Sequence, residues 1–142
     1  MKKRVFGRKF SRDRGSRRAL FRSLLKALIE YGKINTGLAK AKAIRGDVEK
    51  LVNLAKDKSV NSVRRINAYL GNDRRIVNLL LSKVLPSLSS DKGGYIKITN
   101  LPRRKGDFSQ MVRIEWIEKI VIAKKDNSKK AKKNVKKEKK AK

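Results

Sequence analysis

Residues 16–36 read SRRALFRSLLKALIEYGKINT, and the fold turns on them. Leu20, Phe21, Leu24, Leu25, Leu28 and Ile29 recur at helical spacing and form one broad apolar face. Arg17, Arg18, Arg22 and Lys26 fall mostly on the opposite side. This pattern predicts a helix from about Ser16 to Tyr31, starting a turn earlier if Asp13 or Ser11 caps it. Gly32 is a suitable stop, because glycine takes the left-handed conformation that ends helices. Ile34 to Thr36 then reads as a short extended link, able to add a third strand at the edge of a sheet built elsewhere.

Downstream the helical period continues. Ala41, Ile44, Val48, Leu51, Val52 and Ala55 make a second stripe, ending near Lys56 and capped by Asn35 or Thr36. Arg45 and Glu49 stand one turn apart and suit an ion pair. Gly46 weakens the middle of this helix, and close packing is one reason for it among others. A third helix, about Val60 to Leu70, is expected to bury Val63, Ile66, Tyr69 and Leu70, with Gly71 as its end. A fourth follows a cap at Asn72 or Asp73, carries Ile76, Val77, Leu79, Leu80, Leu81, Val84 and Leu85, and closes at Pro86.

Beyond residue 94 the period becomes two. Tyr95 to Leu101 alternates with Ile96 and Ile98 on one face, and Met111 to Ile117 with Val112, Ile114 and Trp116 together. Between them lies PRRKGDFSQ, a charged, turn-forming stretch that makes the pair an antiparallel hairpin. Two strands alone are marginal, so the hairpin must pack on the helices. The expected class is therefore α+β, a helical body on a small antiparallel sheet. Three regions are expected: a basic arm at residues 1–15, a globular domain at 16–118, and a strand exit with a Lys-rich flexible tail at 119–142.

Charge points to the partner. The 142 residues hold 41 basic and 12 acidic side chains, a net +29. Residues 1–18 carry nine basic groups against Asp13, and residues 123–142 carry eleven lysines against Asp126 and Glu138. The remaining 19–122 still carry +12, so the body as well as the tails is expected to face an anion. Nucleic acid is the first reading and an acidic membrane surface the second. The arm holds only a few, aperiodic apolar residues, which argues against a membrane. No apolar run reaches the roughly 20 residues that span a bilayer. The apolar residues after Lys2, Lys3 and Arg4 are interrupted by charge, so no secretory signal is read and a cytoplasmic location is expected.

Candidate phosphate ligands in the arm and first helix are Arg8, Lys9, Arg12, Arg14, Arg17 and Arg18, with Gly7 loosening the backbone just before them. Arg22, Lys26, Lys40, Lys42 and Arg45 extend the surface over the body, although a plain solvated helix face would look similar. Arg103, Arg104 and Lys105 at the hairpin tip are placed to enter a groove or brace phosphates, an exposed turn being the alternative. Phe6 and Phe10 are candidates to stack on bases, whereas Phe21, Tyr69 and Trp116 fit a core and Tyr95 is undecided. Catalysis finds little support. Cysteine and histidine are absent, and neither the Glu115–Glu118 nor the Asp47–Glu49 pair shares a face. No enzyme activity, cofactor, metal or small-molecule substrate is expected. A DNA-compacting protein is the runner-up to an RNA binder.

Several blocks taken together resemble a known family. They are GRKFSR at 7–12, residues 16–36 quoted above, AKAIRGDVEKLVNLAK at 41–56, GGYIKI at 93–98 and RKGD at 104–107. Their sequence and spacing are similar to the bacterial-type large-subunit ribosomal protein number seventeen family over about residues 1–118. The resemblance implies a non-enzymatic structural protein that binds large-subunit ribosomal RNA near the exit end of the peptide tunnel, beside neighbouring large-subunit proteins. It implies RNA contact by Arg4, Gly7, Arg8, Lys9, Arg12, Arg17, Arg18 and Arg22, extended by Lys40, Lys42, Arg45 and Arg104. Gly37 and Ala39 stand where that family often has Thr and Pro, which implies a less rigid start to the second helix.

Overall fold

A computed structural model describes residues 7–88, 93–118 and 120. Arg4, Phe6 and nearly all of the Lys-rich tail lie outside them. Helix α1 spans Arg14–Tyr31. The Asp13 carboxylate caps it by accepting from the backbone N–H of Gly15 and Ser16, at 3.0 and 3.2 Å. A hydrogen bond from the Ser16 side chain first, and then the backbone bonds from Ser16 and Gly15, hold the Asp13 carboxyl below its ordinary pKa. At the other end Gly32 takes φ 75° and donates its N–H to the Leu28 carbonyl.

Strand β1, Lys33–Gly37, leads directly into helix α2, Leu38–Lys56. The expected cap on α2 from Asn35 or Thr36 is not formed: Gly37 holds the N-cap position and no side chain bonds there. Sheet pairing takes over instead. Leu38 N–H donates across to the Gln110 carbonyl at 3.2 Å, Thr36 is buried, and Asn35 accepts from Arg113. The α2 stripe is buried as its spacing dictates, at Ala41, Ile44, Val48, Leu51, Val52 and Ala55. A Cβ added at Gly46 would meet nothing within 4 Å, so close packing does not account for that glycine.

Helix α3, Val60–Leu70, buries Ser62, Ile66 and Leu70, a narrower stripe than its apolar content suggests. Tyr69, expected in the core, is 41% exposed. It stands at the edge of that stripe and turns towards Asp47 of α2. Partial burial first, and then the Asp47 carboxylate, hold its phenol above the ordinary pKa.

Helix α4 begins at Arg74–Leu79 with Asp73 as its cap. A π-helical segment, Leu80–Val84, and a closing turn, Leu85–Ser87, continue it. In the wide turn Leu85 N–H reaches back to Leu80, five residues away. Pro86 enters the closing turn at its second position rather than ending the helix before it, a place where a missing N–H is tolerated.

The sheet has the order β1-β3-β2, all antiparallel, with β2 at Ile96–Asn100 and β3 at Met111–Trp116. Val112, Ile114 and Trp116 face the helices from the central strand, with Ile98 opposite Ile114 and Ile96 opposite Trp116. Trp116 fastens sheet to helix: its indole N–H donates to the Leu28 carbonyl at 3.2 Å. Tyr95 is buried; its hydroxyl donates to Asn53 at 3.0 Å and Lys56 lies over its ring. One apolar core thus joins α1, α2, α3, α4 and the sheet.

Candidate nucleic-acid interface

Two adjoining concavities collect the basic side chains. The larger, about 730 Å³, runs between α1, α2 and α3. Arg14, Arg17, Arg18 and Arg22 come to it from α1, Lys50 from α2 and Arg65 from α3, around Phe21, Leu54 and Tyr69. An apolar floor with a cationic rim suits a polyanion that also offers flat apolar surface, which describes nucleic acid. The smaller, about 370 Å³, gathers Phe10, Lys40 and Arg104 beside β1 and the start of β3. Residues from the arm, α2 and the hairpin, distant in sequence, are thereby brought together. Phe10 bridges the two regions, standing edge-on to Phe21 with ring centroids 6.0 Å apart.

The candidates divide by what they touch. Arg8, Lys9, Arg12, Arg14, Arg18, Lys42, Arg45, Arg103, Arg104 and Lys105 are exposed, and Gly7 is exposed in a left-handed conformation. Arg17 is half-buried against the body. Arg22 has internal partners: its guanidinium donates to the carbonyls of Tyr69 at 3.1 Å and Ala68 at 3.0 Å. It therefore closes the C-terminal end of α3, which has no basic residue in its own last turn. Lys26 pairs with Asp73 at 2.9 Å and holds that carboxyl below its ordinary pKa, tying α1 to the cap of α4. Arg45 pairs with Glu49 as the spacing suggests. A parallel link joins Arg75 to Glu30.

At the hairpin tip Arg104 clasps Asp107 with two guanidinium bonds, and Asp107 also accepts from Ser109 N–H. The Arg104 guanidinium first, and the Ser109 N–H next, lower the Asp107 carboxyl to about 2. This fixes the plane of Arg104 on its loop while leaving the side chain exposed.

Lys50 and Arg65 were absent from the sequence-derived set. Arg65 was open to discovery, since it precedes Tyr69 by one helical turn and so shares its face. Lys50 offers no comparable signal; only the packing of α2 against α1 and α3 brings it to the groove. Among the described residues no group of three or more His, Cys, Asp or Glu side chains could hold a metal ion, and no helix is long and apolar enough to cross a membrane.

Comparison with known proteins bears on the same body. Residues 20–117 match the family model for ribosomal protein L17. The large ribosomal subunit protein bL17 of Persephonella marina is 45% identical over 119 residues, covering 83% of this chain and 96% of the relative. Those of Helicobacter hepaticus and Sulfurihydrogenibium sp. are each 40% identical, covering 78% and 83% of this chain and 94% and 98% of theirs. The matched segment begins within α1 and ends just past β3, so it coincides with the packed core, and the chain belongs to the bacterial ribosomal protein L17 (bL17) family.

Proposed function

We propose that this protein is a structural constituent of the large ribosomal subunit that binds and braces folded large-subunit ribosomal RNA near the peptide exit tunnel. The carrying observation is the groove in which Arg14, Arg17 and Arg18 meet Lys50 and Arg65 over Phe21 and Tyr69. Like charges are costly to assemble unless an anion neutralises them, and a run of phosphates does so along the whole groove. The helical body fixes the position of this surface. The arm, through Arg8, Lys9 and Arg12, and the hairpin tip, through Arg103, Arg104 and Lys105, reach further along the RNA. Arg4, Gly7, Lys40, Lys42 and Arg45 complete the contact surface; Arg22 and Lys26 act from beneath it by holding α3 and α4 in place. The role is structural, not catalytic, and needs no cofactor. Neighbouring large-subunit proteins are its protein partners, and the cytoplasm, within the large subunit, its location. The names of the relatives support this assignment.

Replacing Arg14, Arg17 and Arg18 together by Ala tests the reading in a titration against large-subunit ribosomal RNA. Each neutralised phosphate contributes roughly 0.7–0.9 to the slope of log K against log salt. Loss of about two units of slope is expected; an unchanged slope would refute the groove as the interface. Competition with duplex DNA of equal length separates this function from DNA compaction. Retention on the large subunit through a high-salt wash, with cross-links to RNA lining the tunnel exit, tests the location.

A further inference from the structure

The tip of the hairpin carries a feature that phosphate binding leaves unexplained. Phe108 is 73% exposed, more than any other large apolar side chain among the described residues. Its backbone takes φ 51°, a left-handed conformation that a bulky residue adopts only under strain. The loop does not hold it there loosely. Arg104 N–H donates to Ser109, Phe108 N–H donates to the Arg104 carbonyl at 3.1 Å, and Asp107 binds both Arg104 and Ser109 N–H. Gly106, at φ 106°, makes the preceding turn possible. The chain thus spends conformational energy to hold an apolar ring out in water, among the exposed cations Arg103, Arg104 and Lys105.

We propose that Phe108 is a stacking platform for one unpaired nucleobase of RNA, with Arg103 and Lys105 holding the flanking phosphates. This rests on the RNA-binding reading above and adds a second, distinct contact to it. Three observations select this occupant. The three adjacent cations match a polyanion, and they disfavour the apolar surface of a protein partner. An exposed ring offers a face, and bases splayed from single-stranded loops and bulges are read by stacking on such faces. The rigid loop fixes the ring in advance, so little ordering cost is left for binding. A base within a duplex has no free face, which makes the unpaired nucleotide the ligand.

The test titrates the full-length protein and its F108W, F108L and F108A variants against large-subunit ribosomal RNA at one salt concentration. F108A and F108L should each bind about ten-fold more weakly, within the range measured for loss of one stacked base. F108W should bind within about two-fold of the parent, because it keeps an aromatic face. The salt slope should be the same for all four, since no phosphate ligand is changed. A further variant, F108G, should unfold at a higher temperature than the parent while binding RNA as weakly as F108A. A ring placed there for packing would instead lower the unfolding temperature when removed. If F108L binds as tightly as F108W, the contact is merely apolar and the proposal fails. If all the variants bind equally, the ring is idle and the proposal fails while the groove assignment stands. Failure of the parent protein itself to bind this RNA defeats both.

Discussion

Replacing Arg22 by Ala separates the two uses to which a cation on this face can be put. The sequence pattern offers Arg22 to RNA, whereas its bonds to the Ala68 and Tyr69 carbonyls make it the closing group of α3. The side chain is half-buried, so each charged bond is set at about 1 kcal/mol, below the 1.5–3 seen for better shielded ones. The cation's interaction with the end of the helix dipole adds about 0.3–1 kcal/mol. Arg22→Ala should therefore destabilise the body by about 2–3 kcal/mol. For a domain of about 100 residues, where 1 kcal/mol moves Tm by about 4–8 °C, that is a drop on the order of 10–20 °C. Arg22→Lys should recover about half, since an ammonium has no fork to hold two carbonyls at once. Thermal unfolding followed by circular dichroism without RNA provides the measurement. The RNA titration run beside it should show an almost unchanged salt slope at temperatures where the variant is folded. An unfolding temperature within about 2 °C of the parent, together with a slope reduced by about one contact, would refute the capping role and return Arg22 to the RNA.

Lys50→Ala with Arg65→Ala should remove about 1.4–1.8 units of salt slope at constant stability, read from the same titration and melt, since both side chains are exposed on the rim of the groove. Trp116→Ala should cost about 3–5 kcal/mol, and Trp116→Phe about 1–2 kcal/mol through loss of the bond to Leu28 and some packing, measured by denaturant unfolding. Asp13, Asp73 and Asp107 all have carboxyls below their ordinary pKa in the fold, so the unfolded chain binds more protons in that range. Their stabilisation should be complete above the ordinary 3.8 and fade as pH falls towards about 2, the Asp107 contribution last. An acid titration of Tm in Asp107→Asn should show a shallower slope between those limits than the parent. Gly71→Ala should destabilise by about 1 kcal/mol or more in a thermal melt, because its φ of 72° is left-handed and a residue with a Cβ is strained there.

What could be read from the residues was what depends on local periodicity and end chemistry. The six α2 core positions, the Asp13 cap, the Gly32 and Gly71 stops and the alternation in β2 and β3 each involve neighbours within a turn or a strand. Features set by distant partners were not legible. Asn35 and Thr36 carry good capping side chains, yet the Gln110 carbonyl, more than seventy positions on, decides how α2 begins. Tyr69 has an apolar body and a helical phase near the core, but the width of the buried stripe on α3 is fixed by what packs against it. The π-helical segment at Leu80–Val84 has no signature in a run of leucines. The same division holds for the interface. Density of Arg nominated the arm and the hairpin tip as candidates, while the internal partners of Arg22 and Lys26 and the arrival of Lys50 at the groove required the third dimension.

The place of β3 has a consequence for the order in which the chain is made. It is the central strand of the sheet but the last to be synthesised. Asn35 meets Arg113 across 78 positions, and the Leu28 carbonyl waits 88 positions for the Trp116 indole. At about 5–20 residues per second of translation, that interval is on the order of 4–18 s. During it the four helices can form and begin to collapse, but β1 has no neighbour and the sheet-facing side of the core stays uncovered. A chain arrested before residue 111 would hold every helix and no sheet. Folding is therefore completed by a single late element, and the proposed RNA-binding surface, whose smaller hollow includes Met111, is assembled only once translation of the body is over.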